Sequence, residues 1–379
     1  MEFRDLRQQY LQNKKEIDEA IESVLLGSHF ISGEQVKELE VELADYVGVK
    51  HCITCANGTD ALHLALMTWN IGVGDAVFVP DFTFFSSGEV VSLVGATPIF
   101  VDIEKETFNI SVDSLDEAIQ NVLREGRLIP KVVVAVDLFG QPARYEEIRK
   151  ITEKYNLLLL EDGAQGFGGA IGNRKACSFG DISTTSFFPA KPLGCYGDGG
   201  AIFTDNDEWA KVIRSLCVHG KGSDKYDNVR IGLNSRLDTL QAAILQVKLE
   251  VFKNYELNAV NHVAKWYDTK LKEASVACPR IIDGYYSSWA QYTIQLENGY
   301  KRDALMHKLK EKGIPSAIYY QKPMHAQKAF KNLVLSDDFY PNANYVCERV
   351  LSLPMHPYLE ESEVDNICKA IAEIKNDGM

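Results

Sequence analysis

Apolar and polar residues follow two different spacings along the first two thirds of the chain. Residues 35–46 and 60–69 place apolar side chains at helical spacing. Between such segments lie short, nearly continuous apolar runs, which predict strands buried on both faces. These runs are 52–55, 76–80, 98–101, 132–136, 157–160, 184–187 and 200–204. Strands of this kind, separated by helices, predict an α/β domain with a mostly parallel central sheet.

The last third of the chain has a different pattern. It predicts a long helix, two short strands and a closing helix, at 239–275, 292–296, 316–320 and 361–375. We therefore expect an N-terminal arm and a large domain over residues 1–250, and a smaller C-terminal α+β domain over 251–379. No change in composition marks the boundary between them.

Composition and charge exclude several classes of protein. The 379 residues carry a net charge of −13, which argues against general binding to nucleic acid or to an anionic membrane. The charged N-terminus has no apolar signal core, and no stretch approaches the ~20 apolar residues that span a bilayer. Cys52 and Cys55 lie in a predicted strand, without a second pair to complete a zinc site. We expect reduced thiols, no metal and a cytoplasmic protein.

Lys191 and Asp162 are the main candidates for chemistry. Each follows a predicted strand, at the sheet edge where α/β domains bind ligands. Such a pair suits pyridoxal phosphate (PLP), because the amine forms a Schiff base with the aldehyde and the acid keeps the pyridine nitrogen protonated. Taken singly, the two residues are better explained as a surface lysine and a turn residue. Their joint occurrence with a phosphate site favours PLP.

A phosphate site is predicted where a strand ends and a helix begins, at residues 56–62. Gly58 lets the backbone approach a phosphate, Thr59 can cap the helix and donate its hydroxyl, and Ser186 adds a second hydroxyl. Phe84, after another strand, offers a face for stacking on a pyridine ring. A helix cap without a ligand and a core aromatic cluster are the structural alternatives.

Together these motifs resemble the DegT-like nucleotide-sugar aminotransferases, which are PLP enzymes of fold type I, the aspartate aminotransferase fold. The similarity covers nearly the whole chain in the family's order. The similar segments are Asn57-Gly58-Thr59-Asp60-Ala61-Leu62, Thr83-Phe84, Glu161-Asp162 with Gln165, Ser186-Phe187-Phe188-Pro189 with Lys191, and Asn234-Ser235-Arg236-Leu237-Asp238.

The resemblance implies a role for each matching residue. Lys191 would carry PLP and move the proton, and Asp162 would pair with the pyridine nitrogen. The other implied contacts are Phe84 on the ring, Gln165 on the ring hydroxyl, Gly58, Thr59 and Ser186 on the phosphate, and Asn234 on the phosphate of a second subunit. The resemblance also implies an obligate homodimer, L-glutamate as amino donor and a keto-sugar nucleotide as acceptor. Related sugar 3-dehydratases carry histidine in place of the lysine, so Lys191 favours transamination.

Residues 186–204 and 353–358 most resemble the branch that aminates C3 of UDP-2-acetamido-2-deoxy-3-oxo-D-glucuronate for surface polysaccharides such as O-antigens. Arg236, Tyr319 and His325 are the expected sugar contacts. Arg236 has an alternative role, an ion pair with Asp238 or another acid. Lysines and arginines within 211–236 predict a clamp for a diphosphate, or else a solvated surface loop. They are Lys211, Arg214, Lys221, Lys225, Arg230 and Arg236.

Two other functions stay open. Relatives often have His-Tyr-Pro where this chain has Tyr319-Tyr320-Gln321, which leaves a neutral acceptor as an alternative. That acceptor would be UDP-3-keto-N-acetylglucosamine or a dTDP-3-keto-6-deoxyhexose. The third hypothesis is a regulatory protein that binds PLP or a nucleotide sugar without catalysis. The intact Lys191, Asp162 and Gln165 argue against it, because a binding protein needs no proton shuttle.

Overall fold

A seven-stranded sheet forms the centre of the computed structural model, which describes residues 1–224, 226–274, 276–333 and 337–376. The strands are β1 (His51–Cys55), β2 (Asp75–Pro80), β3 (Thr97–Val101), β4 (Ile129–Val136), β5 (Leu158–Asp162), β6 (Ala170–Ile171), β7 (Arg174–Lys175), β8 (Ile182–Ser186), β9 (Gly200–Thr204), β10 (Tyr285–Tyr286), β11 (Tyr292–Gln295) and β12 (Val350–Leu353). The central sheet has the order β1-β9-β8-β5-β4-β2-β3. β9 is antiparallel to both neighbours, and the other pairs are parallel. The predicted mostly parallel α/β sheet is confirmed.

The apolar runs are continuous because helices cover both faces of the sheet. In β2, Val77 and Val79 belong to one apolar core, while Ala76 and Phe78 belong to another. Successive strand residues point to opposite faces, so a strand between two layers of helix needs an apolar residue at every position. The cysteines predicted to lie in β1, Cys52 and Cys55, are buried free thiols, as expected.

Helices precede, separate and follow these strands. They are α1 (Leu6–Gln12), α2 (Lys14–Gly27), α3 (Glu34–Val47), α4 (Gly58–Thr68), α5 (Ser86–Leu93), α6 (Val112–Glu125), α7 (Tyr145–Tyr155), α8 (Asp207–Leu216), α9 (Thr239–Val251), α10 (Leu257–Glu273), α11 (Gly299–Glu311), α12 (Pro341–Cys347) and α13 (Glu361–Asn376). A π-helical turn, Phe252–Glu256, joins α9 to α10. The predicted long helix is therefore confirmed as one helical path with an irregular turn.

The C-terminal elements form an apolar core of their own. β11 pairs antiparallel with β12, and apolar side chains of α10, α11 and α13 pack together with this pair. Tyr267 stacks on Tyr292 with 4.7 Å between ring centroids. The expected boundary near residue 250 falls inside α9, and the division into two domains stays a prediction.

The strand predicted at 316–320 is wrong. Only Ala317 pairs with another chain segment, exchanging hydrogen bonds with Ser352 at 3.1 and 2.7 Å. The chain then leaves β12, because the aromatic side chains that follow pack elsewhere. Tyr319 packs against Phe3 and Tyr320 binds Gln165.

Candidate active site

The sheet brings Lys191 and Asp162 into electrostatic contact. Asp162 ends β5 and is buried, and Lys191 lies in the loop after β8, the next strand of the sheet. Burial lowers the pKa of Lys191, Asp162 opposes that shift, and Arg4 adds to it. Burial also raises the pKa of Asp162, against a hydrogen bond from Ser87 and the charge of Lys191. A lowered pKa favours the free amine of Lys191, which is its nucleophilic form.

Two donors hold the Asp162 carboxylate in one orientation. The Ser87 hydroxyl donates to Oδ2 at 2.7 Å, and the Ala164 amide donates to Oδ1 at 3.2 Å. The Thr83 hydroxyl lies 3.1 Å from the Ser87 hydroxyl and completes the chain of contacts. Ser87 was not predicted, since a serine in the first turn of α5 carries no sequence signal for a partner 75 residues away.

The start of α4 fits a phosphate group. Asn57, and not Thr59 as predicted, caps the helix by accepting a hydrogen bond from the backbone amide three residues later at 2.8 Å. The Thr59 hydroxyl lies 2.7 Å from that of Ser86. A Cβ on Gly58 would lie 2.7 Å from the Ser186 Cβ, so glycine is what lets the helix start and Ser186 approach each other. First-turn amides, the positive end of the helix dipole and the Ser186 hydroxyl therefore meet at one place.

An aromatic pair stands beside this site. The Phe84 side chain is 54% exposed, and its ring centroid lies 6.3 Å from that of Tyr320. Gln165 accepts a hydrogen bond from the Phe139 amide at 2.7 Å and donates to the Tyr320 hydroxyl at 3.0 Å. Tyr320 thus connects Phe84 to Gln165, a link that no sequence motif predicts. The predicted contacts of Phe84 and Gln165 with a cofactor ring stay predictions.

Tyr319 and His325, which with Arg236 are the predicted sugar contacts, both contact other side chains of this chain. Tyr319 packs edge-on against Phe3, with 6.3 Å between ring centroids. In His325, Nδ1 lies 2.6 Å from Asp81 and Nε2 lies 2.9 Å from Asp337. Burial lowers the pKa of His325, but the two carboxylates outweigh it and raise the pKa above its ordinary value. His325 therefore joins two loops, and its substrate role stays a prediction.

Asn234 and Arg236 lie beside the start of α4 but are not joined to it. Between them, the buried Ser235 accepts a hydrogen bond from the Ala56 amide at 3.0 Å and anchors the segment there. Asn234 is exposed and Arg236 is half-buried. Among the described residues, neither side chain has a hydrogen bond, and Arg236 does not form the ion pair with Asp238 that was its structural alternative.

Two of the basic residues predicted to clamp a diphosphate pair with acids instead. Lys211 and Arg214 both lie on α8. Lys211 binds Glu208 at 2.6 Å. Arg214 binds Glu40 at 2.8 Å. Lys225 lies outside the described residues, and the clamp stays a prediction for the other cations of the segment.

The family model of the DegT/DnrJ/EryC1/StrS aminotransferases matches residues 11–372. The chain belongs to this family. It is 42% identical, over 371 residues, to the UDP-2-acetamido-2-deoxy-3-oxo-D-glucuronate aminotransferase of Pseudomonas aeruginosa, covering 98% of this chain and 99% of that one. It is 39% identical to the UDP-N-acetyl-3-dehydro-alpha-D-glucosamine 3-aminotransferase of Acidithiobacillus ferrooxidans, covering 97% and 96%. A crystal structure of a DegT/DnrJ/EryC1/StrS aminotransferase from Brucella abortus is 48% identical, with a TM-score of 0.95 and 98% of each chain covered.

Membership confirms the resemblance, the aminotransferase fold and the class of reaction. The protein is a PLP-dependent nucleotide-sugar aminotransferase. The site fits that cofactor, because the start of α4 offers a phosphate cradle, and a buried acid and an amine of lowered pKa lie at neighbouring strand ends. None of the helices in the described residues combines the length and the apolar composition of a membrane span.

Proposed function

We propose that this DegT-family enzyme transfers the amino group of L-glutamate to C3 of UDP-2-acetamido-2-deoxy-3-oxo-D-glucuronate, in the biosynthesis of a surface polysaccharide such as an O-antigen. The observation that carries the proposal is the 42% identity, over 98% of this chain, with the Pseudomonas aeruginosa enzyme of that name. Arg236 supports it, since a half-buried guanidinium without a carboxylate partner among the described residues suits bidentate binding of a uronate.

The proposed reaction has two halves, in which the amino group is first taken from glutamate and then given to the keto sugar. Both halves use the same side chains, and the second reverses the steps of the first. When bound, PLP supplies the carbonyl that exchanges the amino group and the electron sink for the carbanion. Lys191 would take the proton from the glutamate α-carbon as a general base in the first half-reaction, and in the second it would deliver a proton as a general acid to C3 of the sugar, the carbon that receives the amino group. Asp162, oriented by Ser87, keeps the ring nitrogen protonated, and Gly58 with Ser186 holds the phosphate. Because both substrates use one site in turn, we expect ping-pong kinetics.

A neutral acceptor is the second candidate. The Acidithiobacillus ferrooxidans relative, named for a 3-dehydroglucosamine, is 39% identical, close to the 42% of the uronate enzyme. The test is a panel of three acceptors with L-glutamate: the 3-keto uronate, its neutral 6-hydroxyl counterpart and a dTDP-3-keto-6-deoxyhexose. We expect the highest kcat/KM for the uronate. A higher value for either neutral sugar would contradict the proposed acceptor.

Arg236→Ala should distinguish carboxylate recognition from a structural role. Losing one partner of a buried, hydrogen-bonded charge pair costs about 2–5 kcal/mol, so kcat/KM for the uronate should fall more than about tenfold. The loss should appear chiefly in the acceptor KM, with the glutamate half-reaction less affected. Arg236→Lys, which keeps the charge without the planar fork, should lose less. Equal losses on the uronate and its neutral counterpart would refute carboxylate recognition by Arg236.

We further propose a homodimer whose active sites combine residues of both chains. Large apolar side chains lie exposed around Asn234, including Ile231 at 88% and Ile31 at 50% exposure. Ile31 bridges to Asp238, so these side chains flank the segment that carries Asn234. Clustered exposed apolar residues are typical of a protein interface. A second copy covering them would bring its phosphate site near the exposed Asn234.

A shared site predicts that two inactive variants complement each other. Lys191→Ala and Asn234→Ala chains, mixed under conditions that exchange subunits, should form dimers with one doubly altered site and one intact site. We expect up to about a quarter of wild-type activity at a 1:1 mixture, because half of the dimers are mixed and half of their sites are intact. Subunit exchange is verified with a tagged chain. Activity that stays at the level of the separate variants despite verified exchange would contradict the shared site.

A further inference from the structure

Arg4, in the N-terminal segment, binds the backbone of the loop that holds Lys191. Its Nη2 donates to the Lys191 carbonyl at 2.7 Å and lies 3.4 Å from the Pro192 carbonyl. The contact joins residues 187 positions apart. Among the described residues, no carboxylate forms an ion pair with Arg4. The guanidinium is therefore committed to the loop backbone rather than to an acid.

Residues on both sides of Arg4 fix the N-terminal segment in this place. The Phe3 carbonyl accepts a hydrogen bond from the Met355 amide at 3.1 Å. On α1, Gln9 donates to Glu256 at 2.7 Å, and both side chains are buried. Arg4 therefore stands between two anchors, and its position beside the Lys191 loop follows from how the segment is held.

We propose that Arg4 is a positioning residue for Lys191, because its guanidinium holds the Lys191 backbone carbonyl and so fixes the loop from which the Lys191 side chain extends. The proposal rests on the role proposed for Lys191. It assigns a function in the chemistry to a part of the chain that lies before the matched family region, residues 11–372.

The charges around Arg4 support this assignment. Arg4 remains a cation, because an arginine does not lose its proton in a protein. Lys191 faces Asp162, which raises its pKa, and Arg4, which lowers it together with burial. The other titratable groups that interact with Arg4 are Glu256, Tyr358, Lys248 and His356. Burial, with Arg4 contributing, lowers the pKa of Lys248 to about 8 and that of His356 to about 4.

The test is a pH titration of the visible absorption band of the purified holoenzyme, whose midpoint is the pKa of the Lys191 nitrogen in its bond to the cofactor. Arg4→Gln removes the charge, and Arg4→Met is a second neutral variant that keeps the apolar stem if the first does not fold. Either should raise the midpoint by about half a pH unit or more, since a nearby positive charge disfavours protonation. Arg4→Lys should keep the midpoint near that of the wild type but lower kcat several-fold, because one ammonium replaces the fork that holds the carbonyl.

Arg7→Gln is the matched control, since Arg7 is exposed on α1 and no described residue pairs with it. Arg7→Gln should change neither the midpoint of the pH titration nor kcat. A lowered melting temperature with an unchanged midpoint in the neutral Arg4 variants would overturn the proposal and leave Arg4 a structural residue. Failure of the role proposed for Lys191 is recognised separately, because Lys191→Ala would then retain turnover whatever the Arg4 variants do.

Discussion

Lys191→Ala is expected to abolish turnover. The change removes the Lys191 amine, which both holds the cofactor and acts as the general base and acid of the two half-reactions. We therefore expect a loss of at least about 10⁴-fold in kcat. The protein should still fold and bind PLP, because the α4 cradle and Asp162 remain. A small primary amine in the buffer should restore part of the activity by replacing the missing base. Steady-state amination and the absorption spectrum measure both effects.

Lys175→Ala provides the control for this result. Lys175 lies on β7, and its ammonium donates to the Tyr46 carbonyl at 2.6 Å, away from the site residues. We expect kcat within about twofold of the wild type, as is usual for a substitution outside the chemistry. Turnover close to the wild-type value in a Lys191→Ala preparation verified by mass spectrometry would contradict the assignment of Lys191.

Asp162→Asn should lower kcat by at least about 10²-fold without unfolding the protein. The amide cannot keep the pyridine nitrogen protonated, so the electron sink is weakened. Its oxygen can still accept from Ser87 or Ala164, which preserves much of the local structure. We expect the melting temperature to stay within a few degrees of the wild-type value. Unfolding at room temperature, or kcat near the wild-type value, would favour a structural role for Asp162.

Ser87→Ala should have a smaller effect than Asp162→Asn, because it leaves the Asp162 carboxylate in place. The hydrogen bond from Ser87 lowers the pKa of Asp162, so its removal should raise that pKa further above the ordinary value. Because the carboxylate is the active form, the acid limb of the kcat profile should move to higher pH, with a loss of up to about tenfold at neutral pH. A shift of that limb toward lower pH would contradict the electrostatic account.

The central sheet, and the edge of it that holds the candidate site, could be predicted from the sequence. The apolar runs that predict the strands are short segments of neighbouring residues. The run predicted at 76–80 became Asp75–Pro80, and that predicted at 200–204 became Gly200–Thr204. Since ligands bind beyond the carboxyl ends of parallel strands, the sequence alone makes the residues that follow β5 and β8 candidates for the site.

The contacts that orient the site were not predictable, since they join distant parts of the chain. Ser87 and Asp162 are 75 positions apart, and Tyr320 and Gln165 are 155 apart. Only the folded chain shows that such pairs meet. His325 illustrates the same limit, because the sequence does not reveal that its ring contacts the carboxylates of Asp81 and Asp337.

The most direct test of the account is to locate the lysine that holds the cofactor. Purified holoenzyme is reduced with borohydride, digested and analysed by peptide mass spectrometry. We predict the reduced cofactor on the peptide that contains Lys191. Lys248 is the natural rival, because it is buried and burial lowers its pKa to about 8. Modification of Lys248 or another lysine, with the Lys191 peptide unmodified, would contradict the central claim.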